Sequence, residues 1–417
     1  MTDNPHVSVL FFSNDPLYSS IPDKVFNLPT NGNVQNLNVL VNQLLSEEKD
    51  EWNGVTFDFL VEKAIISDTL QEFIEENEIC IEGVLKIECI GKENPPRPDK
   101  DMPHNDWVSS VKVSDKYIFS ATYDGNLNIW DHDGTNLQKK EYSLQPIKCM
   151  AFNGQDGKYR VVLGLQDQTL AVNEVTIKNG KVNVDVTAIL RGHERSVDCV
   201  AMSGDGSKVV SGSYDKSLKV WDVLPDAKTD FAKTNTDAKK SKLSTVTRTP
   251  LVTLLSHKEA ITGVAWSPLN KNQVTTVSLD HSIILWDLDS ASQSAHLGSN
   301  KSFTCVAANP TTGMILTGSV DPVTRLWDLR SKEGAMVKCS FQSHIGWVTA
   351  VDWCKTRDHL FITASHDKVV KMWDVRSPKA NLYNMIGHED RILCADWSNS
   401  ELIASGGVDA TVKTFRR

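Results

Sequence analysis

Two kinds of hydrophobic pattern divide the chain. In the first hundred residues, Val7–Phe12 (VSVLFF), a stretch near Lys24–Leu28, Thr56–Val61 (TFDFLV) and Val84–Ile90 (VLKIECI) have the apolar, β-rich character of strands. Between the second and third of these, Val34, Leu37, Leu40, Val41, Leu44 and Leu45 recur at three- and four-residue steps. That spacing predicts one amphipathic helix, with Asn33 positioned to cap its start. Further on, period-two stretches such as Ser217-Leu218-Lys219-Val220-Trp221 take over and continue to the C-terminus, which predicts many short strands.

A hairpin, a helix and further strands within residues 1–92 suit a ubiquitin-like β-grasp domain. The remainder is dominated by an internal repeat. Ser120–Asp131 (SATYDGNLNIWD), Ser211–Asp222 (SGSYDKSLKVWD), Thr276–Asp287 (TVSLDHSIILWD), Thr317–Asp328 (TGSVDPVTRLWD) and Thr363–Asp374 (TASHDKVVKMWD) align without gaps. Two weaker copies fit the same frame, LGLQDQTLAVNE around Asp167 with Asn173 in place of Trp, and SGGVDATVKTFR around Asp409 with Phe415 there. The seven turn aspartates, 124, 167, 215, 280, 321, 367 and 409, lie 43, 48, 65, 41, 46 and 42 residues apart. Gly192-His193, Ser256-His257, Ser343-His344 and Gly387-His388 each place a histidine 21 to 23 residues before its aspartate.

These motifs resemble the WD-repeat family, whose blades repeat every ~40 to 45 residues. The resemblance implies a mainly β fold, a seven-bladed propeller over residues 104–417, in which four strands per repeat close into a ring and protect their edges. His193, Ser213 and Asp215 can be drawn as a hydrolytic triad, but the trio recurs as His257, Ser278, Asp280 and as His344, Ser365, Asp367. An active site is needed once. A polar network repeated in each blade accounts for the recurrence, so His193, Ser213, Asp215, Trp221, His257, Asp280, Trp286, His344, Asp367 and Trp373 are expected to be structural. No phosphate-binding loop or H-E-x-x-H zinc motif is present.

Charge and composition refine this picture. Residues 1–100 hold 18 Asp and Glu against 7 Lys and Arg, whereas the rest holds 35 against 37, so the net charge of -9 belongs to the N-terminal domain. That argues against nucleic-acid binding by this domain and for a basic or metal-bearing protein partner. The eight cysteines show no zinc-ligand spacing and read as buried reduced thiols. No apolar run approaches the ~20 residues that span a bilayer, and an intracellular protein without membrane contact is expected. The 65-residue spacing marks an insertion at 226–250, with six Lys and Arg against three Asp, which is expected to be flexible. Residues 93–103, with Pro95-Pro96-Arg97-Pro98, are expected to form a stiff linker.

A ubiquitin-like domain, then IECIGKENPPRP, then Asn105-Asp106-Trp107-Val108-Ser109-Ser110 opening seven repeats, resembles the WD-repeat subunit of the PeBoW complex along essentially the whole chain. The resemblance implies a non-enzymatic scaffold for 60S ribosomal subunit biogenesis and maturation of 25S/28S and 5.8S rRNA. It implies action in the nucleolus and nucleoplasm with Pescadillo, the block-of-proliferation WD protein and the pre-60S particle, and leaves direct contact with RNA open. It also implies that midasin, an AAA-type ATPase, grips the ubiquitin-like domain through Mg²⁺ in an adhesion site whose open position is filled by Glu88. No cofactor is expected in the chain itself. Alternation in Leu85–Ile90 aims Glu88 outward, with Ile90 exposed beside it; Glu82 and Glu93 are the neighbouring competitors. A Notchless-like pre-60S factor, for which eight repeats would be expected, and a WD substrate adaptor of a ubiquitin ligase are the alternatives.

Overall fold

The computed structural model describes residues 5–48, 52–79, 83–142, 145–178, 180–224, 245–330 and 337–417. Cys80, Glu82 and most of the 226–250 insertion lie outside the described residues. The chain divides into two compact units, one of the residues through Pro95 grouped with Arg376–Ala380, the other of Pro96–Val375 and Asn381–Arg417.

In the first unit, β1 (His6–Phe12), β2 (Val25–Pro29), β3 (Phe57–Val61), β4 (Ala64–Ile65) and β5 (Leu85–Gly91) form one sheet in the order β2-β1-β5-β3-β4. The central pair β1 and β5 is parallel, and β5 runs antiparallel to β3. Alternation sends Val7, Val9 and Phe11 of β1, and Leu85, Ile87 and Cys89 of β5, into one core. Helix α1 (Val34–Glu48) adds Leu37, Val41 and Leu45 to that core, and the Asn33 side chain accepts from the Asn36 N–H at 2.9 Å. A second helix, α2 (Leu70–Glu76), was not anticipated. Its signal is local: Thr69 and Glu72 form a reciprocal capping box just ahead of buried Leu70 and Phe73.

The second unit contains seven sheets among the described residues, six of four strands and one of five. Their innermost strands, from Val108–Val113 to Ile392–Asp396, touch in sequence, and the last touches the first. The fold is mainly β and its sheet order is consistent with a propeller.

Two segments depart from expectation. The stretch read as a linker contains strand β6 (Arg97–Pro103), which pairs antiparallel with Thr411–Arg416 and completes the seventh sheet. Proline is tolerated there because β6 is an edge strand, and buried Met102 anchors it. The end of the insertion is likewise ordered. Val246–Arg248 runs parallel to Lys181–Arg191 as a fifth strand of the second sheet, and Arg248 donates to the carbonyls of Asp222 and Leu224.

Across the inner ladders the packing is tight. Cys149, Cys199, Cys305 and Cys394 on the innermost strands face Gly164, Gly212, Gly318 and Gly406 across their ladders. A Cβ on any of these glycines would come within 2.5 to 2.8 Å of sulfur. In the fourth sheet the volumes are exchanged, with Gly263 on the inner strand facing Val277. Burial pushes the Cys305 and Cys394 thiols up to about 12.

Candidate functional site

The third sheet shows what the repeated His, Asp and Trp do. His193 Nδ1 lies 2.7 Å from Asp215 Oδ2 and its Nε2 2.7 Å from Ser211 Oγ, which accepts from Trp221 Nε1 at 2.8 Å. With the aspartate at Nδ1, the imidazole carries its proton there, and Ser211 donates to Nε2 while receiving the indole N–H. The chain Trp to Ser to His to Asp therefore satisfies every buried donor in turn.

Ser213 is not a member of this chain. Its hydroxyl donates to the Arg195 carbonyl and accepts from the Asp215 N–H. The residue four before the aspartate, rather than two before it, bridges histidine and tryptophan: both lie on the tryptophan's face, but Ser211 is one same-face step from Val209, the tryptophan's ladder partner, and Ser213 is two. The same geometry returns in His257, Thr276, Trp286 and Asp280, with distances of 3.1, 2.7 and 2.8 Å, and in His344, Thr363, Trp373 and Asp367, with 2.7, 2.6 and 2.9 Å. All three imidazoles are 0 to 2% exposed, so no substrate can reach them. Burial alone would raise the carboxylates. Hydrogen bonds from Ser282, the Lys258 N–H and His257 outweigh it and hold Asp280 at about 2, and those from His344 and the Ile345 and Val369 N–H groups hold Asp367 at about 2.

The other sheets solve the same problem differently. In the seventh, His388 bonds Asp409 and Ser405 at 2.8 Å each, while Phe415 brings no donor. In the fifth, where no histidine stands 21 to 23 residues before the aspartate, Arg325 takes the aspartate, with Nη2 2.5 Å from Asp321 Oδ2. The first sheet holds a histidine that the sequence reading missed. His104 Nε2 lies 2.7 Å from Ser120 Oγ, which accepts from Trp130 Nε1 at 3.0 Å. Its spacing of 20 residues from Asp124 was the available signal, hidden because Pro103 stands where glycine was sought. In the second sheet, buried Asn173 accepts from the Tyr142 hydroxyl at 2.8 Å and donates to the Val161 and Ala171 carbonyls at 3.2 Å.

A further polar joint links the seventh sheet to the first. Lys112 Nζ lies 2.6 Å from fully buried Asp396, which also accepts from the Val113 N–H at 2.9 Å. Asp352 accepts from the Trp397 N–H at 2.7 Å, and burial together with the nearby Asp396 charge raises its carboxyl.

In the first unit, Glu88 lies on the sheet face opposite the core, paired across β5 with Phe12 on one side and Leu60 on the other. It is half-buried, and its Oε1 accepts from Asn14 Nδ2 at 2.9 Å. It borders a groove of about 560 Å³ whose walls include Phe12, Leu60, Val84 and Lys86. Ile90, expected to be exposed, is only 2% exposed. It lies two residues beyond Glu88 on the same strand, opposite Asp58 of β3. Glu93, one of the competing carboxylates, is itself buried at 8% exposure.

The comparisons with known proteins agree with this division. A family profile described as the NLE (NUC135) domain matches residues 7–74, and one described as the WD domain, G-beta repeat, matches 100–131, 185–222, 248–287, 290–328, 336–374 and 379–416. None of these stretches falls on the strand that carries Asn173. The chain is thus a WD-repeat protein with an N-terminal NLE domain. Similar proteins named "Ribosome biogenesis protein WDR12 homolog" occur in Brugia malayi, 47% identical over 404 residues (96% of this chain, 93% of that one), and in Ixodes scapularis, 37% over 427 (100% and 99%). One from Caenorhabditis briggsae is 38% identical over 429 residues (98% and 95%). The chain belongs to this WDR12 family, that of the PeBoW WD-repeat subunit.

Proposed function

We propose that the chain is a non-catalytic scaffold in assembly of the large ribosomal subunit, acting in the nucleolus and nucleoplasm and required for maturation of 25S/28S and 5.8S rRNA. Its seven sheets act as the blades of a propeller that joins Pescadillo and the block-of-proliferation protein on the pre-60S particle. Its N-terminal unit acts as a ubiquitin-like handle for midasin. A ribosome-biogenesis role is supported by the names of the relatives. The scaffold reading is supported by the buried histidines, each consumed by its own sheet.

The observation that carries the handle reading is the position of Glu88 on the outer sheet face, its carboxylate held by Asn14 through one oxygen. Magnesium takes oxygen ligands at ~2.0 to 2.1 Å in near-octahedral geometry, and an adhesion site with one open position would accept such a carboxylate. Binding of the full chain to midasin's adhesion-site domain, with and without chelator, tests this. Glu88→Ala and removal of magnesium each abolish binding, Glu88→Asp weakens it through its shorter reach, and Glu93→Ala leaves it unchanged. Wild-type affinity for Glu88→Ala, or binding that ignores the chelator, removes the assignment.

A further inference from the structure

We infer that Asn14 is a positioning residue for the Glu88 carboxylate and selects which of its oxygens meets a metal. This rests on the reading of Glu88 as a metal ligand. The residue sits in Ser13-Asn14-Asp15-Pro16, a turn directly after β1, and both of its neighbours are tied down. The Ser13 hydroxyl donates to the Cys89 carbonyl at 2.7 Å, fastening the turn to the strand that carries Glu88. On the other side, Asp15 caps the 3-10 turn Pro16–Tyr18, accepting from the Leu17 N–H at 2.9 Å. Its own N–H donates to Ser13 Oγ at 3.2 Å. The Asn14 amide is therefore delivered to Glu88 by backbone fixed at both ends.

The consequence is chemical. A free glutamate has two equivalent oxygens and several rotamers, and it can chelate a cation through both oxygens. Here the Asn14 N–H occupies Oε1 at 2.9 Å. That leaves Oε2 as the oxygen for a partner's cation and favours the one-oxygen ligation that near-octahedral magnesium prefers. It also orders the side chain before binding. Immobilising a rotamer-rich side chain at an interface costs ~0.5 to 1.5 kcal/mol, which corresponds to about 2- to 10-fold in affinity.

The experiment measures magnesium-dependent binding of the full chain to the same adhesion-site domain, for wild type, Asn14→Leu, Asn14→Gln and Glu88→Ala. Thermal unfolding of each variant is followed in parallel. Asn14→Leu should lower affinity by about 2- to 10-fold and raise the magnesium concentration at half-binding, with no change in unfolding temperature. Asn14→Gln, which restores a donor on a longer arm, should recover part of the loss. Wild-type affinity for Asn14→Leu together with loss of binding for Glu88→Ala overturns the positioning role and leaves the reading of Glu88 standing. Equal weakening by Leu and Gln overturns it too, because the donor would then be irrelevant. Wild-type binding by Glu88→Ala overturns both.

Discussion

The second and third sheets occupy equivalent places in the repeat and solve one problem with different chemistry. In the third, Trp221 fills the position six residues after the turn aspartate, and its indole N–H is carried through Ser211 and His193 to Asp215. In the second, that position holds Asn173, a much smaller and more polar side chain, and the hydroxyl of Tyr142 reaches in from elsewhere in the chain to meet it. The first arrangement is built within one repeat and can be copied. The second depends on a residue outside the motif and cannot. The difference shows that the repeat specifies a filled, fully hydrogen-bonded space and not a particular residue set.

The largest test removes the anchor of the third sheet. Trp221→Ala should cost about 3 to 5 kcal/mol, the usual range for deleting a fully buried large aromatic, measured by chemical denaturation. A loss below that produced by Asn173→Ala would mean that the two positions are not equivalent.

On the second sheet, Asn173→Ala and Tyr142→Phe should each cost about 1 to 3 kcal/mol, because each strands a buried polar partner. The double variant should cost less than the two singles added together, since the pair is then removed as a unit. Strict additivity would dismiss the Tyr142 to Asn173 bond as an energetic feature.

Acid should next separate the second sheet from three of the sheets that hold a buried histidine. His104, His257 and His388 have pKa values lowered chiefly by burial, His104 to about 4, so the unfolded chain binds protons more readily than the folded one. Stability they provide is full above about pH 6.5 and falls as the pH drops below it. Asp280 and Asp367, held at about 2, add a second loss as the pH falls from their unfolded values near 4. Hydrogen exchange at moderately acid pH should therefore rise in the first, fourth and seventh sheets before the second, which has no such histidine. Uniform acceleration would refute this order.

The smallest effect concerns the insertion, which belongs to the third repeat but whose end is annexed by the second sheet. Deleting residues 226–244 with a short replacement should change stability by about 0.6 kcal/mol or less, because loop entropy depends only weakly on length. Extending the deletion to 250 removes the parallel strand and the Arg248 bonds, and should cost visibly more. Thermal unfolding of the two deletions separates these cases.

Much of this was legible in the sequence, for physical reasons. Turn aspartates and tryptophans recur because every sheet needs the same bend and the same plug, and α1 shows itself through one uninterrupted apolar stripe. Ser211 was passed over for Ser213 because spacing gives neighbours but not the direction in which a hydroxyl points. His104 was hidden by a proline, and β6 by a composition that elsewhere marks a linker. Its identity as a strand depends on a partner more than 300 residues away, which no local pattern encodes. The burial of Ile90 is likewise invisible to alternation, which places it on the same face as exposed Lys86 and half-buried Glu88.

That same strand decides how the molecule carries load. The first, fourth, fifth and sixth sheets each use four strands that follow one another along the chain, whereas in the seventh the outermost strand comes from the opposite end of the sequence and is joined to its neighbour without a connecting turn. The covalent link from the N-terminal unit to the repeats runs through Pro95 and Pro96 directly into β6. The first rung to feel it is Arg97 against Arg416, backed by the pair Arg416 and Asp99 at 2.9 Å and then by Lys413 and Asp101 at 2.8 Å. A mechanical pull transmitted along this linker is therefore borne first by the seam that joins the two ends of the repeat region, where only non-covalent bonds resist it.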